Sequence, residues 1–174
     1  MNAADPAGPR ILGSLRAADG QGVVRIEDRV DVSVEEVWSA LTDRVRLARW
    51  YGDVTGDLRP GGEYRAHLHA SGWEGTGRID ACEPQQHLLI TVRELDNPDE
   101  GALEVTLAAD GGQTVVVWEE RGMPAEYLAG YGAGIQVHVE DLVAHLAGRE
   151  RCDAKARFDE LFPAYQALVS DGGG

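Results

Sequence analysis

The sequence predicts an α+β fold: one curved antiparallel sheet of about six to seven strands wrapped around a long C-terminal helix, with two short helices after the first strand. Three observations carry this. Short segments of alternating polarity follow one another with only turn residues between them, the pattern of an antiparallel sheet. The helical segments stand before and after that run rather than between its strands. The only large element left to bury the apolar face of such a sheet is the segment 124–147, where Ile135, Val139, Leu142 and Leu146 fall on one helical stripe.

The elements follow in order. In "GVVRIEDRVDVS", Val24, Ile26, Val30 and Val32 alternate with Arg25, Glu27, Arg29 and Asp31, a half-buried strand. The turn residues "ADGQG" before it make residues 11–17 the expected other arm of a hairpin. Ser33 is placed as an N-cap, with Glu36 completing a capping box. The helix it opens puts Val37, Trp38 and Leu41 on one side, with Trp38 as ordinary core. "RVRLARWYG" reads as a second short helix with Val45, Leu47 and Trp50 as its apolar residues, ended by Gly52. Strands are expected from Glu63, in "WEGTGRIDACEP", in "HLLITVRE", in "ALEVTLAA" and in "QTVVVWEER", punctuated by Pro-Gly-Gly, "NPDEG" and "DGG". Gly130, Gly132 and Gly134 crowd the start of the long helix, each costing roughly 1 kcal/mol against alanine. A strongly curved sheet around one helix leaves a cavity, and these glycines are expected to widen it at one end. "CDAKARFDELFPAYQAL" follows as an amphipathic segment capped by Asp153, with Pro163 expected to divide it in two. Its apolar face either docks on its own domain or joins a partner subunit as a homodimer.

The 174 residues suffice for one domain with a core. Residues 1–10 read as a disordered tail, 11–150 as a single domain and 151–170 as an additional helical segment. The net charge of −14, with no Lys/Arg cluster, argues against nucleic acid and anionic membrane as partners. Cys82 and Cys152 form no disulfide framework. The N-terminal residues lack a signal-peptide pattern, and no stretch approaches the roughly 18 apolar residues of a span. The expectation is a soluble, cytoplasmic protein with reduced thiols.

The order of elements and five of its stretches resemble one superfamily. They are "VEEVWSALTDRVRLARWYG" (34–52), "GDLRPGGEYR" (56–65), "GRIDACEPQQHLLITVR" (77–93), "QTVVVWEERGMP" (113–124) and "GIQVHVEDLVAHLAG" (134–148). Together they resemble the START-like, helix-grip (SRPBCC) superfamily of polyketide cyclases, aromatase-like proteins and lipid-transfer domains, in its bacterial branch. Within it, the chain is similar to the branch of the activator of the heat-shock-protein ATPase and of polyketide cyclase-like proteins. The resemblance implies a helix-grip fold in which Trp50, Tyr64, Trp73, Trp118 and Tyr131 surround one cavity. It is specific for fold and weak for function, because this fold hosts carriers, cyclases, hydrolases and partner-binding modules. Two positions depart from the family pattern: Gly134-Ile135 where Gly-Trp is common, and Glu120 where histidine is common.

The expected ligand-lining set is Trp50, Tyr64, Leu68, Trp73, Ile90, Trp118, Glu120, Tyr131, Gly134, Ile135 and His138, an apolar wall with a few polar groups. The alternative for the tryptophans is plain core filling. Strand alternation places Val116, Trp118 and Glu120 on one face. If that face is concave, Glu120 enters the cavity, where its pKa would rise and it could act as acid or base. The alternative is a solvated strand end or a pair with Arg121 or Arg78. Glu120, His138 and Tyr64 are the catalytic candidates. His67 and His69 share a strand face, but without further ligands they make no metal site, and no metal or cofactor is expected. Asp141 and His145 stand at i, i+4 as a helical pair. No serine sits in an elbow motif, and Arg149 and Arg151 could lower the pKa of Cys152.

Three functions remain open. The first is a binding protein for a small apolar or aromatic molecule. The second is a cyclase-, dehydratase- or hydrolase-type enzyme using the same cavity. The third is a chaperone-linked or regulatory module that binds a protein partner. Whether the chain is an enzyme is left undecided at this level.

Overall fold

The computed structural model describes residues 8–172; most of the expected 1–10 tail lies outside them. The elements are β1 (Gly13–Ala18), β2 (Gln21–Val30), α1 (Val34–Thr42), α2 (Arg44–Trp50), β3 (Gly52–Gly56), β4 (Glu63–Leu68), β5 (Glu74–Glu83), β6 (His87–Glu94), β7 (Gly101–Asp110) and β8 (Gln113–Pro124). A 3-10 turn (Ala125–Tyr127), α3 (Leu128–Leu146) and α4 (Ala154–Asp171) complete the chain. The eight strands form one antiparallel sheet in the order β1-β2-β8-β7-β6-β5-β4-β3. The fold is thus the expected α+β helix-grip arrangement, with eight strands rather than six to seven.

The strand not anticipated is β3, a five-residue edge strand after Gly52. Gly52 does end α2, but it also starts β3. A side chain there would strike the carbonyl of His67, so the absence of one lets β3 lie against β4. Two bulges bend the sheet. Gly22 pairs with Met123 and Val23 with Arg121, leaving Gly122 as the extra residue of β8, at φ +94°. Ile79 pairs with Ile90 and Ala81 with Leu89, leaving Asp80 extra in β5. Bulges of this kind increase local twist and curl a sheet around its partner.

The concave face carries Val24, Ile26, Ile79, Leu88, Ile90, Leu103, Val105, Val116 and Trp118, all buried against α1, α2 and α3. Ser33 caps α1 by accepting from the Glu36 amide at 3.3 Å. Asp43 ends α1 and caps α2, accepting from Arg46 at 3.0 Å. Two local expectations differ: Val45 is 65% exposed, because the short α2 turns only Leu47 and Trp50 inward, and Val32 lies beyond the end of β2.

α4 is one helix through Pro163, not two pieces. Proline removes one backbone hydrogen bond, but Leu161 and Tyr165 on either side are fully buried against α3 and hold the helix in line. The Tyr165 hydroxyl donates to Gln136 Oε1 at 2.6 Å, and the Leu12 amide donates to the same oxygen at 3.0 Å. Arg157 grips Glu140 with two bonds of 2.8 Å. Leu161 and Tyr165 of the apolar face of α4 therefore pack within the chain, while Phe158 and Phe162 are half-buried and Leu168 is exposed. Among the described residues, no helix is long and apolar enough to cross a membrane.

Candidate functional site

Between the concave sheet and the N-terminal half of α3 lies a cavity of about 820 Å³. On the helix, Tyr131, Gly134, Ile135 and His138 recur at spacings of three and four and turn one stripe toward it. From the sheet, Tyr64, Ala66 and Leu68 come from β4, Val92 from β6, Leu103 from β7, and Glu120 and Met123 from β8. Tyr51, at the end of α2, and Trp73, before β5, close its sides. The strand period of two explains Tyr64, Ala66 and Leu68, which are buried while Glu63, Arg65 and His67 are exposed.

The expected lining set divides. Tyr64, Leu68, Trp73, Glu120, Tyr131, Gly134, Ile135 and His138 border this cavity. Trp50, Ile90 and Trp118 do not. They border a separate apolar void of about 120 Å³ deeper between α1, α2 and the sheet. The register explains this. Trp118 lies opposite Ile26 and Val105, one step further from the open end than Glu120, which lies opposite Val24 and Leu103. Trp50 instead donates its indole N–H to the Ala40 carbonyl at 2.9 Å, tying α2 to α1.

The three helix glycines have different roles. At Gly134 there is open space within 4 Å, and it borders the cavity. A methyl group on Gly132 would come within 2.5 Å of the Tyr165 ring, so this glycine admits α4 instead. Gly130 faces the cavity, with Phe162 of α4 at 3.9 Å.

Tyr51 is a cavity residue absent from the expected set, as are Ala66, Val92, Leu103 and Met123. It forms a cluster with Trp50, Trp118 and His138, its ring 5.5 Å from the His138 ring and 6.1 Å from that of Trp118. The backbone pins it: its amide donates to Leu47, and its carbonyl accepts from His69. As the last residue of a short helix before Gly52, it belonged to no periodic stripe. The available signal was its position between Trp50 and a close-packed glycine.

Glu120 is not the solvated strand end considered as an alternative. One oxygen accepts from the Trp118 indole at 3.0 Å. Arg121 bonds Glu104 and Glu119, and Arg78 bonds Asp80, so neither pairs with it. The carboxyl is surrounded by protein, and its remaining exposure is to the cavity. Burial pushes it up to about 7, and the indole hydrogen bond offsets only part of that. His138, 8% exposed, is pushed down to about 4 by burial and is neutral at pH 7. Burial also raises the phenols of Tyr51 and Tyr64. Among the described residues, the side chains of Tyr51, Tyr64 and His138 have no hydrogen-bond partner within the protein. Four polar groups of perturbed acidity thus meet one apolar space.

Other expectations are corrected. Asp141 does not pair with His145: it accepts from the Cys152 amide at 3.0 Å, while His145 Nε2 accepts from Arg46 at 3.2 Å. The Cys152 thiol is not activated; partial burial, and then the neighbouring Asp141 carboxylate, raise it to about 11. His69 Nε2 lies 2.8 Å from the Ala48 carbonyl, and no cluster of potential metal ligands occurs among the described residues.

A curved antiparallel sheet closed by a long C-terminal helix, with a cavity between them, defines a START-like, helix-grip protein. Residues 31–147 match the family described as "Activator of Hsp90 ATPase homolog 1-like protein", and the chain belongs to that family. Its crystal-structure relatives include CalU16 from Micromonospora echinospora, 28% identical over 91% of this chain and 96% of that one, with a TM-score of 0.73. DynU16, a protein of the dynemicin biosynthetic locus, is 27% identical over 78% of this chain and 51% of its own, with a TM-score of 0.69. EF2215 from Enterococcus faecalis, 16% identical with a TM-score of 0.70, shares the fold. Among curated proteins, none matches the chain.

Proposed function

We propose that this chain binds a small apolar or aromatic molecule between the sheet and α3. The observation that carries the reading is the convergence of Tyr51, Tyr64, His138 and one free oxygen of Glu120 on a cavity whose inner wall is apolar and aromatic and whose rim is charged. These groups have bonding capacity that no protein group fills, and a ligand that fills it gains specificity and affinity. Membership of the family and likeness to a protein of a biosynthetic locus are consistent with this reading. Native mass spectrometry beside a denatured control tests it, together with thermal shifts in a library of fatty acids and aromatic polyketides. A bound mass or a concentration-dependent rise in Tm is expected. No bound mass and no shift by any compound would remove the reading.

The second reading is a cyclase-type enzyme in the same space. What favours it is Glu120, a carboxyl pushed up to about 7 by burial and lining the same cavity as a neutral imidazole, as a general acid or base requires. Under this reading Glu120→Gln lowers turnover of an aromatic polyketide well beyond any loss of binding, and equal turnover removes Glu120 from the chemistry. A partner-binding module has less support, because Leu161 and Tyr165 of the α4 face that would have served it pack on α3.

A further inference from the structure

The charges around the cavity limit what can enter it. Four carboxylates border it: Glu120 within, and Glu94, Asp99 and Glu100 at the exposed rim. None of the four has a cationic partner among the described residues. Two cations border the same space, and neither is directed into it. Arg121 is held by Glu104 at 2.7 Å and Glu119 at 2.6 Å. Lys155, 87% exposed, turns to Asp159 at 2.6 Å.

At the deep end stands one carboxyl, Glu120, with no cation beside it among the described residues. Glu120 has one oxygen bonded by Trp118 and the other without a protein donor. His138 is buried, neutral and without a partner, and so offers one ring nitrogen as an acceptor. The other ring nitrogen of His138 carries an N–H that can donate, and the hydroxyls of Tyr51 and Tyr64 can donate or accept. The faces of Tyr51, Tyr64, Trp73 and Tyr131 supply the π surface that attracts a desolvated cation.

We infer that the ligand of this cavity is an aromatic or polycyclic molecule carrying an amine, held as an ammonium by Glu120 and the tyrosine faces, and that anionic amphiphiles such as fatty acids are excluded. The inference rests on the ligand-binding reading above and narrows it to a chemical class. A carboxylate or phosphate entering here would pass three like charges at the rim and meet a fourth inside, with no unpaired cation among the described residues to receive it. An ammonium meets the opposite arrangement. The raised pKa of Glu120 fits this: its charge has no counter-ion among the described residues, and the ligand would supply one.

Fluorescence titration of the full chain at pH 8 with three matched probes tests this: 1-pyrenemethylamine, 1-pyrenemethanol and 1-pyrenecarboxylate. The amine is expected to bind more than about tenfold tighter than the alcohol, as a desolvated cation–π contact with a carboxylate implies. The carboxylate should bind weakest. In Glu120→Gln the amine-to-alcohol ratio should fall to within about threefold. Equal or tighter binding of the carboxylate overturns the inference while leaving the cavity reading intact, as does an amine preference unchanged in the variant. Binding of none of the three overturns the cavity reading and the inference with it.

Discussion

Replacing Glu120 by glutamine should stabilise the protein at high pH and leave it unchanged at low pH. The side chain keeps its shape and its acceptor for the Trp118 indole, so the perturbation is confined to the charge. Burial raises the folded-state carboxyl from 4.5 to about 7. Between those values the native state holds a proton that the unfolded chain has released, so its contribution to stability is full below about pH 4.5 and is lost as pH rises through 7. At about 1.36 kcal/mol per pH unit, the loss is about 3 kcal/mol. Glutamine does not titrate, so the difference between variant and parent should be near zero at pH 4 and reach about 3 kcal/mol in favour of the variant at pH 8, a Tm gap of roughly 6–12 °C. His138 acts in the opposite sense. Its folded value, about 4, lies below 6.5, so the stability it contributes is present above 6.5 and lost as pH falls toward 4. In the parent the two slopes oppose each other between pH 4.5 and 6.5. The variant should therefore reveal a stability that rises with pH through that window. Urea unfolding followed by circular dichroism at pH 4, 6 and 8 measures both effects. A pH-independent difference, or a variant no more stable than the parent at pH 8, would refute the burial of a charge at this position.

Two further outcomes follow from the packing. Gly132→Ala should destabilise by about 1–3 kcal/mol, because its methyl group meets the Tyr165 ring at 2.5 Å, whereas Gly134→Ala, facing open space, should stabilise by up to about 1 kcal/mol through helix propensity; equal effects in thermal melts would contradict the roles assigned to them. Cys152, exposed but raised to about 11, should react with a thiol reagent at pH 8 roughly a hundredfold more slowly than an unhindered cysteine, and Asp141→Asn should speed it; labelling at the ordinary rate would refute the influence of Asp141.

Much of the fold was visible in local patterns. The period of two in Tyr64, Ala66 and Leu68, and the spacing of Ile135, Val139 and Leu142, report which face is buried whatever that face packs against. The cap at Ser33 and the turns at Pro60-Gly61-Gly62 and Gly111-Gly112 are properties of a few adjacent residues. β3 escaped notice because five residues with one buried valine carry too little period, and its place depends on the approach of His67 across the sheet to Gly52. Of the candidate site, the stripe on α3 and the inward face of β8 could be listed from spacing alone. Depth could not. Trp118 and Glu120 share a face, yet one borders the inner void and the other the outer cavity.

The sequence by itself determined the class of fold, the order of its elements and the apolar face of each, because these depend on backbone periodicity and on residues close in the chain. Only the tertiary structure decided that Gly132 admits α4 while Gly134 opens to the cavity, that Tyr51 joins His138 and Trp118, and that Glu120 has no cation beside it. Each of these depends on which distant segments meet, and burial, and hence acidity, is a property of the assembled surroundings rather than of the residue.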